Sequence, residues 1–166
     1  MTSTLILGGA RSGKTSLALR AAEDTGRRPV MIATAEALDE EMAERIARHR
    51  AERGSRWRTL EAPLDLPAAL ETIGADEAAV VDCLTLWVSN LMHADRDVEA
   101  GTQRLIAALA GREVWLVSNE VGLGVVPDNA LARRFRDVAG RLNQAVAAAA
   151  DRVVFVAAGL SLRLKG

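Results

Sequence analysis

The chain has 166 residues, of which 49% are hydrophobic, and this suits a single domain over residues 1–166 with a buried core. Basic and acidic residues nearly balance at 21 and 22, and only 3% are aromatic, which argues against nucleic acid or an anionic membrane as a partner. The sequence shows no apolar run of about 18 residues, no basic leader and only one cysteine, so we expect no membrane span, no signal peptide and no internal disulfide, and we expect a cytoplasmic protein.

Short apolar runs alternate with amphipathic runs along the chain, which predicts alternating strands and helices. In chain order we predict a strand over 4–7, a helix over 14–24, a strand over 29–34, a helix over 38–53, a short helix over 63–73, a strand over 78–83 with a helical stretch to about residue 93, a helix over 98–110, a strand over 113–118, a long helix over 127–150 with an irregular start, and strands over 152–157 and 161–165. Strands that are apolar on both faces indicate a mostly parallel sheet covered by helices. The weak alternation over 161–165 favours an antiparallel edge strand.

A glycine-rich segment follows the first predicted strand. Residues 8–15 read GGARSGKT and match the G-x-x-x-x-G-K-[ST] pattern of a phosphate loop that leads into a helix. In such a loop the backbone N–H groups and the helix N-terminus bind phosphate oxygens. Lys14 would reach the β- and γ-phosphates, and the Thr15 hydroxyl would bind Mg²⁺. The predicted nucleotide-binding residues of the loop are Gly8, Gly9, Ala10, Arg11, Ser12, Gly13, Lys14 and Thr15.

The alternative is a glycine-rich turn with an exposed lysine. We favour the phosphate loop because the chain has only two lysines, Lys14 and Lys165, among its 21 basic residues, and one of them stands at the required position. The sequence therefore predicts an α/β fold of the P-loop NTPase (RecA-like) kind, with helices flanking a mostly parallel sheet and a C-terminal antiparallel edge strand. A phosphate loop by itself does not define a reaction.

Acidic and polar residues follow two other predicted strands. Asp82 ends the strand over 78–83, where a carboxylate can hold Mg²⁺ at the carboxyl end of a parallel sheet. Asp82 could instead cap the next helix, but we favour the metal role. Asn119 and Glu120 follow the strand over 113–118 and could lie at the same edge, or they could simply be polar loop residues.

Two histidines and a run of arginines are further candidates. His49 shares a helical face with Met42 and Ile46, so the residues alone favour a packed histidine, although a neutral imidazole is also a good nucleophile toward phosphorus. His93 lies at the polar C-terminal end of a predicted helix, and we expect it to be a surface residue without a catalytic role. Six arginines fall between residues 45 and 58. They could form a solvated helix face, or they could bind the phosphates of a triphosphate.

Five segments together resemble the bifunctional adenosylcobinamide kinase / adenosylcobinamide-phosphate guanylyltransferase family of cobalamin biosynthesis. They are GGARSGKT at 8–15, IATAEALDEEMAERIARHR at 32–50, WRTLEAP at 57–63, SNEVGLGVVPDN at 118–129 and ARRFRDVAGRLNQ at 132–144. The resemblance covers nearly the whole chain. The phosphate loop is the least specific segment, and the histidine-bearing segment and the last two are the most specific.

The resemblance implies two reactions. Adenosylcobinamide is phosphorylated with a nucleoside triphosphate, ATP or GTP, and GMP is then transferred from GTP to adenosylcobinamide phosphate through a guanylylated histidine, which here is His49. The family's nucleotide contacts beyond the loop fall on Ala33, Thr34, Ala35, Arg50, Ala51, Glu52, Arg53, Glu61 and Asp82. The resemblance also implies catalytic roles for His49 and Lys14, a Mg²⁺ site at Thr15 and Asp82, and assembly as a homotrimer. The family often has glutamate where this chain has Asp82, which leaves its partner, Mg²⁺ or a guanosine hydroxyl, open.

Two other functions remain open from the sequence. One is a small-molecule kinase without nucleotidyl transfer, for which His49 would be dispensable. The other is a nucleotide-dependent switch or ATPase that acts on a macromolecular partner. The corrinoid contacts are also open: Arg133, Arg134, Arg136 and Asp137 are candidates, or they form a solvated helix face or a subunit contact.

Overall fold

A computed structural model of the chain describes residues 1–35, 54 and 56–166. The strands are β1 (Ser3–Gly8), β2 (Arg28–Ala33), β3 (Arg58–Glu61), β4 (Glu77–Asp82), β5 (Val114–Asn119), β6 (Arg152–Ala157) and β7 (Leu160–Lys165). The described helices are α1 (Lys14–Asp24), α2 (Leu66–Glu71), α3 (Leu84–His93), α4 (Val98–Ala108) and α5 (Ala130–Ala149). The helix predicted over 38–53 lies outside the described residues.

The strands form one seven-stranded sheet in the order β3-β2-β4-β5-β1-β6-β7. Neighbouring strands from β3 to β6 pair in parallel, and β7 pairs antiparallel with β6. The carboxyl ends of β1–β6 therefore meet at one edge of the sheet, called here the carboxyl edge, and their starts meet at the opposite amino edge. The prediction of a mostly parallel sheet with an antiparallel C-terminal edge strand is confirmed.

The core lies on both faces of the sheet because successive strand residues point to opposite sides. On one face, Leu5, Ile32, Val81 and Leu116 pack with apolar residues of α2, α3, α4 and α5. On the other face, Ile6, Met31, Val80 and Val117 pack with Ala18 and Ala22 of α1. Each such side chain contributes roughly 1.5–3 kcal/mol by leaving water, so the apolar strand runs determine where the sheet is buried.

Helix starts follow local sequence signals. Asp97 caps α4 by accepting from the Ala100 N–H at 3.0 Å, and Asn129 caps α5 by accepting from the N–H groups of Leu131 and Ala132 at 2.7 and 3.2 Å. The helix predicted from residue 127 instead begins at Ala130, directly after the Asn129 cap. No helix among the described residues is long and apolar enough to cross a membrane.

Two sequence predictions need correction. The strand β3 was not predicted, because its four residues form a half-exposed sheet edge paired only with β2 and carry no continuous apolar run. The helix predicted over 63–73 is shorter and spans Leu66–Glu71. The proline in its first turn is Pro67, while the Pro63 carbonyl accepts a hydrogen bond from Asn90 of α3.

Candidate nucleotide site

The predicted phosphate loop leaves the end of the central strand β1 and enters α1. A Cβ added to Gly8 would lie 2.3 Å from the Val156 carbonyl oxygen and 2.8 Å from Ser12 Oγ, so only glycine fits there. Gly13 precedes α1 with φ of 97°, a backbone conformation that favours glycine. The sequence thus folds into a tight loop at the N-terminus of a helix, which is where an anion binds.

Neighbouring segments hold the loop by backbone hydrogen bonds. The N–H of Gly159, in the turn between β6 and β7, donates to the Ser12 carbonyl at 2.8 Å. The N–H of Glu120, after β5, donates to the Gly8 carbonyl at 3.0 Å. The loop is therefore fixed on both sides by the strands that flank β1.

Lys14 is buried at the start of α1, and its Nζ donates to the Gly9 carbonyl at 2.7 Å. Burial lowers the pKa of Lys14 below its ordinary value, while the nearby Asp82 carboxylate acts in the opposite direction. A charged ammonium loses hydration in this position, and phosphate oxygens would compensate that loss. The geometry suits a lysine that binds phosphate across the loop.

Ser12 carries a second polar atom suited to a ligand. Its Oγ is buried and has no hydrogen-bond partner among the residues that the structure describes. A buried hydroxyl without a partner is uncommon in a folded protein, since it costs about 1–3 kcal/mol. A phosphate oxygen in the loop would satisfy it.

The strand register brings other predicted site residues to the carboxyl edge. Ala33 of β2 pairs with both Glu61 of β3 and Asp82 of β4, while Gly8 pairs with Asn119 of β5. At about 4.8 Å per strand, Asp82 lies about 10 Å and Glu61 about 19 Å along the edge from Gly8. A nucleotide that contacts the loop, Asp82 and Glu61 must therefore lie along this edge.

Thr34 and Cys83 join the end of β2 to the start of α3. The Thr34 hydroxyl donates to the Cys83 carbonyl at 2.7 Å and accepts from the Cys83 N–H at 2.9 Å. Asn90 donates to the Thr34 carbonyl at 2.7 Å. The Thr34 N–H also donates to the Asp82 carbonyl at 3.2 Å, so Thr34 fixes the backbone at Asp82 and Cys83.

Cys83 itself is a poor nucleophile. Burial raises the pKa of its thiol, and the neighbouring Asp82 carboxylate raises that pKa further. The thiol therefore stays protonated near neutral pH, and a protonated thiol neither attacks phosphorus nor binds a metal ion well.

The end of β5 is fixed by a network that the sequence analysis missed. Thr85 Oγ1 accepts from the Asn119 N–H at 2.7 Å, and Ser118 Oγ donates to Asn143 Oδ1 at 2.7 Å. Asn143 belongs to the segment 132–144 of the family resemblance, but nothing in its sequence position indicates this partner. The network places Asn119 and Glu120 between the phosphate loop and Asp82. The sequence alone could not decide whether these two residues lie at the carboxyl edge or are simply polar loop residues.

Several predicted residues are beyond what the structure describes. His49, Arg50, Ala51, Glu52 and Arg53 all lie outside the described residues, so their roles stay predictions. Within the described part, no group of three or more His, Cys, Asp or Glu side chains is placed to hold a metal ion. Thr15 and Asp82 supply oxygen donors near the loop, which suits a cation bound mainly through phosphate and water.

A phosphate loop on the central strand of a parallel sheet, with polar residues on the neighbouring strand ends, defines a P-loop nucleotide-binding protein. Two solved structures share this fold. The RadB recombinase matches with a TM-score of 0.55 and 16% identity over 93% of this chain and 73% of its own. The flagellar accessory protein FlaH from Methanocaldococcus jannaschii matches with a TM-score of 0.56 and 12% identity over 99% of this chain and 78% of its own.

Sequence comparison then defines the family. The model of the family described as cobinamide kinase / cobinamide phosphate guanyltransferase matches residues 4–164, and the chain belongs to this family. The bifunctional adenosylcobalamin biosynthesis protein CobP of Pseudomonas aeruginosa is 51% identical over 98% of this chain and 96% of its own length. The corresponding protein CobU of Salmonella typhimurium is 40% identical over 97% of this chain and 98% of its own length.

Proposed function

We propose that this chain phosphorylates adenosylcobinamide with a nucleoside triphosphate and then transfers GMP from GTP to adenosylcobinamide phosphate. The products of the second reaction are adenosylcobinamide-GDP and pyrophosphate. The observation that carries the proposal is the family match over residues 4–164, since the family description names both activities. The match favours this function over a kinase without nucleotidyl transfer and over a nucleotide-dependent switch.

In the kinase step, the chain positions the triphosphate and stabilises charge. Backbone N–H groups of the loop and the N-terminus of α1 bind the phosphates, and Lys14, whose Nζ lies beside the Gly9 carbonyl in the loop, would contact the β- and γ-phosphate oxygens. The acceptor hydroxyl attacks the γ-phosphorus, and the bond to the β-phosphate oxygen breaks. Phosphoryl transfer of this kind depends mainly on positioning and electrostatic stabilisation.

In the second step, we assign His49 as the nucleophile. An imidazole nitrogen forms a bond to the α-phosphorus of GTP, and the bond to the departing pyrophosphate breaks. The acceptor's phosphate oxygen then attacks the same phosphorus and breaks the P–N bond, which frees His49. Two displacements replace one, and each needs only a positioned nucleophile and a stabilised leaving group.

Mg²⁺ is the cation we expect with the nucleotide, and Thr15 and Asp82 are the residues that would hold it. It would supply neutralisation of phosphate charge and polarisation of the reacting phosphorus. Asp82 ends β4 and is close enough to Lys14 to influence its charge, and Thr15 follows Lys14 directly in α1. This donor set fits a hard cation that takes most of its ligands from phosphate and water.

We further propose that residues 1–166 form a single nucleotide-binding domain, that three copies assemble, and that the protein works in the cytoplasm. Sedimentation equilibrium of the purified protein tests the assembly directly. A mass of one or two chains across micromolar concentrations would contradict the trimer without affecting the proposed reactions.

The test of the second reaction uses GTP labelled at the α-phosphate, Mg²⁺ and the purified protein, followed by denaturation and peptide mass spectrometry. We expect an acid-labile, alkali-stable GMP adduct on the peptide that carries His49. The peptide that carries His93 serves as the internal control and should stay unmodified. A His49→Ala variant that still transferred GMP to adenosylcobinamide phosphate at the wild-type rate would show that His49 is not the nucleophile.

A further inference from the structure

A cavity of about 440 Å³ lies between the C-terminal half of α3 and the first turns of α5. It is lined by Ser89, Met92, His93, Asn129, Leu131, Ala132 and Phe135. Most of these side chains are apolar, and the volume falls within the usual range for small-molecule sites. We call this cavity the α3–α5 pocket.

The α3–α5 pocket opens at the same edge of the sheet as the phosphate loop. Asn90 of α3 donates to the carbonyls of Thr34 and Pro63, at 2.7 and 3.0 Å, so the middle of α3 lies at the end of β2. The helix α5 follows β5 and therefore begins at the carboxyl edge. The residues that line the pocket on both helices are thus on the nucleotide side of the molecule.

The segment 120–129 connects the loop to the pocket. At one end, the Glu120 N–H donates to the Gly8 carbonyl at 3.0 Å, and at the other, Asn129 caps α5 and lines the pocket. Between them Leu123, Val125 and Val126 are exposed at 80%, 94% and 60%. These three exposed apolar side chains belong to the segment that ends at the pocket, and an exposed apolar patch is typical of a binding surface.

Arg136 lies on α5 next to Phe135, which lines the pocket. It shares a helical face with Ala139 and Asn143, three and seven residues later, and Asn143 is bonded to Ser118 at the end of β5. Seven residues correspond to about 10 Å of helix, so Arg136 lies about two turns beyond the end of β5, toward the start of α5. Its Nη1 atom is buried and has no hydrogen-bond partner among the described residues.

We propose that the α3–α5 pocket binds one edge of the acceptor's corrin ring and that Arg136 binds the acceptor's phosphate during GMP transfer. This proposal rests on the function proposed above. The ring periphery carries methyl groups and amide arms, which match a mainly apolar pocket with a few polar groups. The pocket is too small for the whole ring, so the exposed side chains of segment 120–129 would cover the rest. A guanidinium is the side chain best suited to bind a phosphate by paired hydrogen bonds.

His93 provides a polar contact in the pocket. Its Nδ1 lies 2.7 Å from the Ser89 carbonyl oxygen, which can only accept, so the proton of the neutral ring is on Nδ1. Nε2 is then an acceptor. An amide N–H of a corrin arm is the kind of donor that it can bind.

The experiment compares two variants with one control. Leu131→Asp places a charge in the pocket at a side chain that is 56% exposed, so folding should be unaffected. Arg136→Met removes the guanidinium and keeps much of the side-chain volume. Arg134→Met is the matched control, since Arg134 is exposed on the same helix and does not line the pocket.

Binding of adenosylcobinamide and of adenosylcobinamide phosphate is measured by equilibrium dialysis, using the visible absorbance of the corrin. We expect Leu131→Asp to weaken the binding of both corrinoids about 10-fold or more. Arg136→Met should weaken the binding of adenosylcobinamide phosphate by about 10-fold to 100-fold and the binding of adenosylcobinamide by less than about 3-fold. Arg134→Met should bind both as the wild type does.

Formation of the GMP adduct from labelled GTP, without acceptor, separates the possible failures. If all variants form the adduct at the wild-type rate while corrinoid binding changes as stated, the proposal holds. If the wild type binds and converts corrinoids but both variants bind them normally, the pocket assignment is wrong. If Arg136→Met loses the adduct, Arg136 serves the nucleotide, which overturns its assignment to the acceptor. A wild type that neither binds nor converts corrinoids would instead refute the proposed function itself.

Discussion

At the amino edge of the sheet, polar side chains bind one another, whereas at the carboxyl edge two buried polar atoms lack a partner within the described residues. Asp151 accepts two hydrogen bonds from Ser3 at the amino edge, and Glu77 accepts from Arg58 and from the Gly74 N–H. At the carboxyl edge, Ser12 Oγ and Arg136 Nη1 are buried without partners. The difference indicates which edge is complete in the protein alone and which awaits a ligand.

The contrast has one exception. Arg112 lies near the amino edge, and its Nε is also buried without a partner among the described residues. Its other nitrogens donate to the carbonyls of Ala108, Ala110 and Glu71, so the guanidinium is held by the protein. Arg136, by comparison, has no hydrogen bond or ion pair within the described part of the chain, which is why we assign a ligand to it.

The two lysines of the chain give the sharpest test, because one lies at each edge. Among the described residues Lys14 donates a single hydrogen bond, to the Gly9 carbonyl, whereas Lys165 donates to the carbonyls of Ala147, Ala148 and Ala150 at the C-terminus of α5. We expect Lys14→Met to lower both transfer rates about 100-fold to 1,000-fold, since it removes a charge that stabilises the transition state. Stability should hardly change, because a partly desolvated charge is removed at the same time.

Lys165→Met is the matched control. It removes a favourable interaction with the helix C-terminus, so we expect a loss of up to about 1 kcal/mol in unfolding free energy and unchanged rates. Rates from a coupled assay and urea unfolding curves test both variants. Equal rate losses in the two variants would contradict the assignment of function to the carboxyl edge alone.

Two neighbouring glycines provide the next test. A Cβ at Gly8 would meet the Val156 carbonyl at 2.3 Å, whereas a Cβ at Gly9 would meet nothing within 4 Å. We expect Gly8→Ala to cost about 1–3 kcal/mol of unfolding free energy, since the backbones of β1 and β6 must separate. Gly9→Ala should cost less than about 0.5 kcal/mol. Urea unfolding measures both, and similar losses in the two variants would show that the close approach is not the cause.

The carboxyl edge was the easier part to predict from sequence. The segment 8–15 is continuous, and the physics of phosphate binding fixes its glycine, lysine and hydroxyl positions, so the loop could be located before any contact was known. Apolar strand runs likewise predicted the parallel sheet. The strand β3 escaped prediction because its pattern reflects a half-exposed edge position rather than a buried run.

The amino edge and the flank of the site could not be predicted in this way. Ser3 and Asp151 are 148 residues apart, and Ser118 and Asn143 are 25 apart on different elements, so only the folded topology brings them together. Arg136 stood among four candidate residues of one helix, and sequence could not rank them. Its position above Asn143 and the unpaired Nη1 distinguish it from its neighbours.

A smaller effect is expected from the amino-edge carboxylate Glu77. It is buried, accepts twice from Arg58 Nη2 at 3.0 Å, and accepts from the Gly74 N–H at 2.9 Å. Glu77→Ala should cost about 1–2 kcal/mol of unfolding free energy, because the Gly74 donor loses its partner, while the half-exposed Arg58 can turn to water. Both transfer rates should stay within about 2-fold of the wild type.

Asp76→Ala is the control for Glu77. Asp76 pairs with Arg28 at 2.6 Å, but their side chains are 68% and 72% exposed, so the pair should contribute less than about 0.5 kcal/mol. Chemical unfolding measures both variants. If Asp76→Ala cost as much as Glu77→Ala, burial would not be what distinguishes the two ion pairs.

The smallest effect concerns Asp151 and depends on pH. The N–H and the hydroxyl of Ser3 both donate to Asp151 Oδ2 at 2.8 Å, and these bonds lower the pKa of that carboxyl below its ordinary value. A carboxyl whose pKa is lowered by folding stabilises the protein above its unfolded pKa of about 4, and this stabilisation is lost as the pH falls through the folded pKa. Asp151→Asn should therefore lower the thermal unfolding midpoint at pH 7 and differ progressively less from the wild type as the pH falls from about 4 toward 2. Ser3→Ala, which removes one of the two donors, should show the same trend with a smaller amplitude. A difference between wild type and Asp151→Asn that stayed constant down to pH 2 would mean that Asp151 contributes through packing and not through its charge.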